Sequence, residues 1–471
     1  MKGGKTIFLA EKFERPRGKV EIEFQAGTLV ARGLGKEDSP GEGWKWDQRI
    51  DGFRAEGIEY RRVIGALVKE GWEVVDGARE YQKLNQELVE RFRPYEHQEE
   101  GLEAWDRCGR RGVVVLPTGA GKSFLAAMAI EMAGRTTLVV VPTIDLMTQW
   151  VGNLCEAFGV EVGMIGGGYH EIRELTVSTY DSSAIHMGRL GGKFGLVIFD
   201  EVHHLPGDVY SQAARESIAP FRLGLTATPE RADGREVELD ELVGPIVYRR
   251  SIKELAGTIL ADYEVRTLEV GMNPEDRKIY ERERGIYRGF VEQKGVRLGG
   301  AHGWRRFLAA TSRSDEGRRA LKAHRAQKRM ALVHENKLEL LYGLLERHRQ
   351  ERVLIFTNDN ASVYEISQEV LCPSITHETR VKERREILQR FRSGEYKVLV
   401  TSKVLNEGVD IPEASVAIIL AGSGSVREHV QRLGRILRRG EGKKAVLYEL
   451  VTSDSVESDV SRRRREHDAY Q

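Results

Sequence analysis

The residues most able to do chemistry form a glycine-spaced turn, Thr118-Gly119-Ala120-Gly121, which is followed directly by Lys122 and Ser123. The apolar run Val113–Leu116 predicts a buried strand before the turn, and the run Phe124–Met132 predicts a helix after it. Backbone N–H groups at the start of such a helix bind anions. A lysine at this position reaches the β- and γ-phosphates of a nucleotide, and the hydroxyl that follows ligates Mg²⁺. The pattern therefore predicts a site for a nucleoside triphosphate and Mg²⁺.

The turn departs once from the usual pattern G-x-x-x-x-G-K-[ST], because Leu116 stands at the position of the first glycine. Taken alone, the match is also compatible with chance, or with a generic turn in a chain that contains 50 glycines. The interpretation as a phosphate site therefore depends on residues further along the chain.

A second group of chemically capable side chains, Asp200-Glu201-Val202-His203, follows the apolar run Leu196–Phe199. A buried strand that delivers a carboxylate to its carboxyl end suits Asp200 as a second Mg²⁺ contact, and the adjacent Glu201 can polarise the attacking water. An isolated Asp-Glu pair is also compatible with an acidic strand end in solvent. This pair, however, follows Lys122 by 78 residues within the same predicted sheet, which favours the interpretation as a catalytic pair.

Both groups lie where short apolar strands alternate with helical segments, a pattern typical of a parallel sheet covered on both faces. The expected strands are 113–116, 137–141, 175–178, 196–199 and 222–225, then 353–357, 396–400, 416–420 and 445–448. The fold class is therefore predicted as α/β, with two parallel-sheet domains in tandem. Ligands of such sheets bind at the carboxyl ends of the strands, so we expect the chemistry in the cleft between the domains.

The predicted domain limits are 1–88 for a small N-terminal α+β domain, 89–255 for the first sheet domain and 256–471 for the second. A helical insertion, 271–330, interrupts the second domain. Its residues 276–330 carry 16 Lys and Arg against 6 Asp and Glu, and aromatic residues lie among the arginines. We expect Arg305 and Arg306 to bind nucleic acid, with a solvated helical face as the alternative.

Composition limits the other classes of function. The net charge of the 471-residue chain is +1, so nucleic-acid binding must come from local basic patches. Its three cysteines lie far apart and indicate a reducing compartment. No apolar run approaches the ~18 residues of a membrane span, and the first residues lack the apolar segment of a signal peptide. We expect a soluble, cytoplasmic protein with no membrane partner.

The lysine turn and Asp200-Glu201-Val202-His203 together resemble superfamily 2 helicases, and further similarities occur in the order of that family. The similar segments are Val140–Thr143, Val177–Tyr180, Thr226–Thr228, Ile355–Thr357, Ser402–Asp410 and Gln431–Arg438. The resemblance covers roughly residues 92–450. It implies two RecA-like domains, ATP and Mg²⁺ as cofactors, and DNA as the partner.

The resemblance also implies roles for single residues. Those expected at the DNA backbone are Thr143, Thr179, Thr357 and Ser402. Asp410 is expected at the nucleotide, and Gln431 would position the water or the γ-phosphate. Arg435 and Arg438 would act as arginine fingers, which raise rates ~10³–10⁵-fold. Because they lie on the other predicted domain from Asp200, hydrolysis would depend on domain closure.

Upstream of the lysine turn, Phe92–Gln98 resembles the adenine-site motif of the same superfamily, with Gln98 reading the edge of the base. The arginine that often precedes this glutamine by three residues is replaced by Tyr95. The contacts to adenine are therefore less well defined by the sequence than those to the phosphates.

Within the superfamily the chain is most similar to the XPB family in its short archaeal form. The similarity rests on Asp200–Pro206, on Ser217–Thr228 and on Gly422–Ser425. It implies a damage-recognition-like N-terminal domain, a thumb-like basic insertion and a loop in which Arg231 and Asp233 contact DNA. Between these two residues stands Ala232, where the family has glutamate, which puts the role of the loop in unwinding in doubt.

Three functions remain open at this point. The first is an ATP-driven motor that opens or translocates duplex DNA in excision-type repair or transcription, with 3′-to-5′ polarity implied by the family alone. The second is the motor subunit of a nuclease or restriction complex that moves along duplex without separating strands. The third is a binding scaffold with an inactive ATP site, which the intact Lys122, Asp200 and Arg435 disfavour.

A nuclease activity of the chain itself would need an acidic triad. Glu292-x-Lys294 and Glu335-x-Lys337 are present, but neither follows a convincing Pro-Asp pair, so we interpret both as chance. The resemblance to XPB does imply a separate nuclease partner in archaea. Spacing alone leaves RNA open as a substrate, whereas the family favours DNA.

Overall fold

The computed structural model of the chain describes residues 5–7, 18–38, 40–89, 93–231, 233–260, 262–296, 303–312, 314–402, 414–420 and 444–458. The chain divides into two compact units, Met1–Leu116 with Gly121–Arg250 and Pro117–Ala120 with Ser251–Gln471. The domain limits expected from the sequence remain predictions. Within the described ranges, no helix combines the length and the hydropathy that are needed to span a bilayer.

The first unit begins with a six-stranded sheet in the order β1-β6-β2-β3-β5-β4. Its elements are β1 (Lys5–Ile7), β2 (Lys19–Gln25), β3 (Thr28–Arg32), β4 (Lys45–Asp47), β5 (Gly52–Glu56), helix α1 (Tyr60–Lys69) and β6 (Glu73–Asp76). Val20 and Ile22 alternate with exposed residues along β2 and share a buried core with Val63 and Leu67 of α1. This alternation gives a sheet with one buried face, and the predicted small α+β domain is confirmed.

The second sheet of this unit has eight strands in the order β10-β9-β11-β8-β12-β13-β7-β14. The strands are β7 (Arg111–Val115), β8 (Thr137–Val141), β9 (Gly163–Gly166), β10 (Tyr169–His170), β11 (Leu175–Thr179), β12 (Leu196–Asp200), β13 (Phe221–Thr226) and β14 (Ile246–Arg249). The helices are α2 (Glu96–Arg107), α3 (Lys122–Ala133), α4 (Ile144–Phe158), α5 (Tyr180–Leu190), α6 (Gln212–Arg215) and α7 (Leu239–Leu242). Apart from the antiparallel pair β9–β10, all these pairings are parallel.

Parallel pairing brings the carboxyl ends of these strands to one edge of the sheet. Asp200 lies opposite Leu225, near the end of β13, while Thr179 lies opposite Val141 at the end of β8. All five residues of β8, β11 and β12 are buried. Such strands gain stability from burial on both faces. Their polar residues with a possible role in binding therefore lie at the strand ends.

The second unit contains a parallel sheet in the order β15-β20-β19-β16-β18-β17. Its strands are β15 (Asp262–Val270), β16 (Val353–Phe356), β17 (Ser374–Ile375), β18 (Val398–Thr401), β19 (Val416–Ile419) and β20 (Lys444–Thr452). The helices are α8 (Ile252–Leu255), α9 (Pro274–Gln293), α10 (Gly303–Thr311), α11 (Asp315–Leu332), α12 (Glu335–Arg347), α13 (Asn360–Val370) and α14 (Val381–Ser393). Strand β15 was missed from the sequence, where the second strand series was expected to begin near Val353.

The predicted insertion is helical and consists of α9, α10 and α11, which follow β15. Phe290 of α9, Phe307 of α10 and Ala320 of α11 form its small buried core. Arg319 binds both carboxylate oxygens of the buried Glu283, at 2.6 and 2.7 Å. A bidentate pair of this kind fixes α11 against α9, so the insertion has an internal structure of its own.

A buried ion pair holds the end of the described chain to α12. Lys337 Nζ lies 2.7 Å from Glu457 Oε2, and the two side chains are 0% and 3% exposed. The same carboxylate oxygen accepts a hydrogen bond from the backbone N–H of Thr452, over 3.0 Å. This second sheet therefore carries a fully compensated internal charge.

Candidate nucleotide site and nucleic-acid interface

The lysine turn leaves β7 and enters α3, which begins at Lys122. Gly119 and Gly121 have φ values of 89° and 78°, in the left-handed region that favours glycine. A Cβ on Gly121 would lie 2.1 Å from Gln98 Nε2, so no larger residue fits there. The Lys122 ammonium donates a hydrogen bond to the carbonyl of Leu116 over 3.1 Å, which folds its chain back along the turn.

Gln98 supports this turn from α2. Its Oε1 accepts from the backbone N–H of Tyr95 over 2.9 Å, and its Nε2 donates to the carbonyl of Gly121 over 3.2 Å. The side chain is buried. Gln98 therefore links the start of α2 to the start of α3, a positioning role that the sequence did not show. Its contact with a base remains a prediction.

Asp200 is the last residue of β12 and is buried. Its Oδ2 accepts a hydrogen bond from the Trp150 indole N–H over 2.8 Å, and its Oδ1 accepts from the backbone N–H of Glu201 over 3.0 Å. Burial raises the pKa of the Asp200 carboxyl, and the positive charge of Lys122 and the indole hydrogen bond only partly offset this. Burial therefore disfavours the ionised form of Asp200, and a cation close to the carboxylate would stabilise it.

Glu201, the next residue, has a φ of 47°, an uncommon conformation for a residue with a side chain. Such positions cost about 1–3 kcal/mol each and persist where the surrounding structure imposes them. Glu201 Oε2 lies 3.5 Å from His203 Nδ1, whereas the Asp200 carboxylate accepts from Trp150. The two neighbouring carboxylates can therefore serve different contacts.

His203 connects this strand end to the next strand. Its Nδ1 lies 3.0 Å from the hydroxyl of Thr226, and that hydroxyl also contacts the backbone N–H and carbonyl of Thr228 at 3.1 Å. The guanidinium of Arg231 donates to the carbonyl of His203. Within the described ranges, no cluster of three or more His, Cys, Asp or Glu side chains could hold a metal ion.

The loop after β13 is organised by an ion pair between its two predicted DNA residues. Arg231 Nε and Nη2 donate to the two carboxylate oxygens of Asp233 over 2.8 and 2.7 Å. This hydrogen bonding lowers the pKa of the Asp233 carboxyl. Ala232 lies outside the described residues. Arg231 is thus bound to both Asp233 and His203, which places the loop beside the carboxylate pair.

The first two predicted DNA residues each cap a helix. Thr143 Oγ1 accepts from the backbone N–H of Leu146 over 3.2 Å at the start of α4. Thr179 Oγ1 accepts from the backbone N–H of Ser182 over 3.3 Å at the start of α5. Helix N-termini favour phosphate, and both lie at the carboxyl edge of the sheet that also carries Asp200.

In the second unit, Thr357 and Ser402 follow the neighbouring strands β16 and β18. Both are buried: the Thr357 hydroxyl donates to the carbonyl of Asp359 over 3.2 Å, and the Ser402 hydroxyl donates to Asn360 Oδ1 over 3.2 Å. They fix the start of α13. Their contact with DNA remains a prediction.

Arg305 and Arg306 are exposed on α10 beside Trp304, which is 45% exposed. This surface of the insertion is open to a ligand, as the prediction requires. Four further predicted residues, Asp410, Gln431, Arg435 and Arg438, lie outside the described residues.

Comparison with known proteins identifies the family. The DNA 3′-5′ translocase XPB2 of Sulfurisphaera tokodaii is 40% identical over 436 residues, which cover 92% of this chain and 98% of the relative. The chain belongs to the XPB family. Members of this helicase family use ATP, so the predicted class of enzyme is confirmed.

Three family models match successive parts of this XPB-family chain. They are the damage recognition domain of the xeroderma pigmentosum group B helicase at 22–78, the res subunit of type III restriction enzymes at 91–231, and the helicase conserved C-terminal domain at 336–440. The three matched regions follow one another along the chain without overlap.

Other XPB relatives are longer than this chain. The DNA 3′-5′ helicase XPB of Mycobacterium tuberculosis is 32% identical, and the matched region covers 85% of this chain but 64% of the relative. The general transcription and DNA repair factor IIH helicase/translocase subunit XPB/SSL2 of Saccharomyces cerevisiae is 25% identical, with coverages of 79% and 43%.

Solved structures confirm the fold of the XPB-family chain as tandem RecA-like domains. The Pyrococcus furiosus Hef helicase domain superposes with a TM-score of 0.51 at 19% identity, covering 79% of this chain and 98% of that one. Saccharomyces cerevisiae Dbp5 gives a TM-score of 0.54 at 15% identity, covering 80% and 89%. At these identities the likeness concerns the fold alone.

Proposed function

We propose that this chain is an ATP-dependent DNA motor that moves 3′-to-5′ and opens or remodels duplex DNA in excision-type repair or transcription. The observation that carries the proposal is the shared sheet edge in the first unit. Lys122 and Ser123 begin α3 there, Asp200 and Glu201 end β12, and the capped starts of α4 and α5 follow the adjacent strands. Phosphate chemistry and backbone contacts to DNA would thus share one edge of one sheet.

The groups on this edge fit ATP and Mg²⁺. A left-handed glycine turn and the open N-terminus of the 12-residue helix α3 suit the phosphates. The Ser123 hydroxyl and the Asp200 carboxylate are oxygen donors, which Mg²⁺ prefers. Because burial raises the pKa of Asp200, a nearby cation would stabilise its ionised form. When bound, Mg²⁺ neutralises phosphate charge as the terminal bond loosens.

Each residue of the site then has its own role. Lys122 binds the β- and γ-phosphates within Thr118–Ser123, and Gln98 holds the turn and reads the base. Glu201 orients and deprotonates the attacking water, while Asp410 lies at the nucleotide. The residues that complete the site from the second domain are Gln431, which positions the water, and the arginine fingers Arg435 and Arg438.

On DNA, the helix starts at Thr143 and Thr179 would hold the backbone of one strand, together with Thr357 and Ser402 in the second unit. Arg231 and Asp233 would lie where the strands part. The N-terminal match to a damage recognition domain supports a repair role. The relatives named as transcription and repair factor subunits support the same conclusion.

A second function is favoured by two findings. The relative that spans almost the whole chain is named a translocase, and the first unit matches the res subunit of restriction enzymes. Translocation along intact duplex with a separate nuclease partner would fit both. The Glu335-x-Lys337 sequence does not fit a nuclease site, because Lys337 is buried against Glu457.

One experiment separates the two. A forked duplex with a labelled strand reports strand separation, and a duplex carrying a third strand reports translocation without separation. We expect ATP-dependent release in both assays from the parent. Release of the third strand alone would assign the translocase function, and release in neither assay would refute a DNA motor.

A further inference from the structure

Two buried aromatic residues, Trp150 and Tyr180, bind Asp200 from the two helices that begin at the proposed DNA contacts. The Trp150 indole N–H donates to the carboxylate over 2.8 Å from α4. The Tyr180 hydroxyl donates to the backbone carbonyl of Asp200 over 3.0 Å from α5. The two side chains are 2% and 1% exposed. The side chain and the backbone of Asp200 are therefore held from different elements.

The same two helices start at the sheet edge. Trp150 follows the cap residue Thr143 by seven residues, which is two helical turns or ~10 Å of rigid helix. Tyr180 follows the cap residue Thr179 directly. A displacement at either cap therefore moves a hydrogen-bond donor of Asp200. Both hydrogen bonds end on Asp200, and neither involves Glu201, the other carboxylate of the pair.

We propose that Trp150 and Tyr180 are positioning residues that couple occupancy of the two DNA-backbone contacts to the placement of Asp200. The proposal rests on the proposed function, in which Asp200 serves Mg²⁺ and the caps at Thr143 and Thr179 serve DNA. With DNA bound, both donors hold Asp200 in its productive position. Without DNA, the helix starts are less constrained and hydrolysis is slower.

Coupling of this kind has a reciprocal form. If DNA improves the binding of Mg·nucleotide, then Mg·nucleotide must tighten DNA binding by the same factor. Loss of the Trp150 N–H or of the Tyr180 hydroxyl should therefore weaken this binding coupling. It should also weaken the stimulation of hydrolysis, because Asp200 is then less well placed. Two ratios report these effects. The first is the ATPase rate with saturating single-stranded DNA divided by the rate without it. The second is the Kd of DNA without nucleotide divided by the Kd with a non-hydrolysable Mg·ATP analogue.

The variants Trp150→Phe and Tyr180→Phe remove the donors and keep an aromatic ring. Each has a matched control in the same unit. Trp105 donates its indole N–H to the carbonyl of Arg222 over the same 2.8 Å and is 0% exposed, so Trp105→Phe removes an equivalent buried bond. The Tyr60 hydroxyl donates to Asp76 over 2.6 Å, which makes Tyr60→Phe the control for Tyr180→Phe.

We expect Trp150→Phe to lower the ratio of Kd values by at least about fivefold, at the lower end of measured coupling factors, and to lower the ATPase ratio in the same direction. Tyr180→Phe should lower them less, because the carboxylate keeps its indole donor. The Kd of DNA without nucleotide should stay within about twofold of the parent, since the caps themselves are intact. The two control variants should keep the parent ratios.

The inference is overturned if Trp150→Phe keeps the parent ratios, or if Trp105→Phe lowers them equally. Should Trp150→Phe fail to fold, the comparison of Tyr180→Phe with Tyr60→Phe decides in the same way. Failure of the proposed function is distinguishable, because the parent itself would then show no DNA-dependent ATPase. If DNA stimulates the ATPase of the parent and of the variants equally, the coupling is refuted and the proposed function is not.

Discussion

Two buried carboxylates, Asp200 in the first unit and Glu457 in the second, are stabilised in different ways. Glu457 has the ammonium of Lys337 at 2.7 Å and a backbone N–H of Thr452 at 3.0 Å. Asp200 accepts hydrogen bonds from Trp150 and from its neighbour's backbone, and burial nevertheless raises its pKa. The charge of Glu457 is compensated inside the protein, whereas that of Asp200 is compensated only in part.

The comparison teaches how to separate a structural charge from a functional one in the same chain. Burial alone does not distinguish them, since Asp200 and Glu457 are 7% and 3% exposed. The extent of compensation does distinguish them, because the charge of Lys122 only partly offsets the burial of Asp200. Removing a compensated charge should harm folding more than hydrolysis, and removing the other should harm hydrolysis more than folding.

The largest effect is expected for Asp200→Asn. Loss of the carboxylate should lower the ATPase rate at least about 100-fold, the scale of losing one preorganised electrostatic contact. The thermal midpoint should stay equal or rise, because the neutral amide removes a buried charge whose pKa is raised. Steady-state hydrolysis and thermal unfolding measure both.

A control is Asp208→Asn, since the Asp208 side chain is 92% exposed and pairs at the surface with Arg235. It should change neither quantity. A large fall in the thermal midpoint of Asp200→Asn, with a rate close to that of the parent, would make Asp200 a structural charge and break the comparison.

Lys337→Met should have the opposite profile. It leaves Glu457 buried without its ammonium, and breaking a buried ion pair in this way costs about 3–5 kcal/mol. Unfolding by urea, followed by hydrogen exchange in α12, should show the loss, while folded protein keeps its hydrolysis rate.

The double variant Lys337→Met/Glu457→Leu should recover stability, because replacing both charges by apolar side chains is often neutral or stabilising. Arg318→Met, which removes an exposed ion pair with Asp315 on α11, is the control. Unchanged protection in Lys337→Met would show that this pair contributes nothing to the second unit.

Most strands of the two largely parallel sheets could be predicted from the sequence, and β15, which was missed, differs from them in a physical property. The strands that end at Asp200 and Thr179 were predicted because they are buried along their whole length and therefore form unbroken apolar runs. Strand β15 was missed because only Val270 at its end is buried and charged residues alternate along it. Long apolar runs are the signal that sequence patterns preserve best.

The motif residues of the site can be named from the sequence, and their roles stay predictions. The residues that support them cannot be named in this way. Lys122 and Ser123 directly follow a glycine-spaced turn, and Asp200 directly follows an apolar run, so local patterns typical of phosphate and Mg²⁺ binding indicate them. Trp150 and the amide of Gln98 act through tertiary hydrogen bonds, which no local pattern encodes. One signal was present for Trp150: it lies two helical turns after Thr143, on the face of α4 that meets the sheet.

A smaller effect is expected from pH. Burial and the charge of Lys337 lower the pKa of His334 to about 4. Its Nε2 lies 3.1 Å from the Thr452 hydroxyl, which donates to the carbonyl of Ala331, whereas Nδ1 has no hydrogen-bond partner within the described ranges. Protonation therefore favours the unfolded chain.

Because the folded pKa of His334 is lowered, its contribution to stability is complete above pH ~6.5 and is lost as pH falls towards 4. The loss should reach about 3 kcal/mol in the second unit. His334→Gln keeps a donor towards Thr452 and should remove this part of the pH dependence. Parallel stability curves for parent and variant between pH 7 and pH 4 would contradict the assignment.

The smallest effect concerns the surface of the insertion. Arg305 and Arg306 are exposed on α10, so replacing both by Ala should lower the log–log salt slope of DNA binding by up to ~2 if each meets a phosphate. Fork opening should fall, and ATPase without DNA should be unchanged. An unaltered salt slope with normal fork opening would return these arginines to a solvated face.

The claim that this chain is an ATP-driven DNA motor is tested most directly by its steady-state ATPase rate without polymer, with single-stranded DNA, with forked DNA and with RNA. The account predicts that both DNA substrates raise the rate and that RNA does not. It also predicts that Lys122→Ala abolishes hydrolysis while binding DNA as the parent does without nucleotide. Equal rates in all four conditions, or comparable turnover in Lys122→Ala, would contradict it.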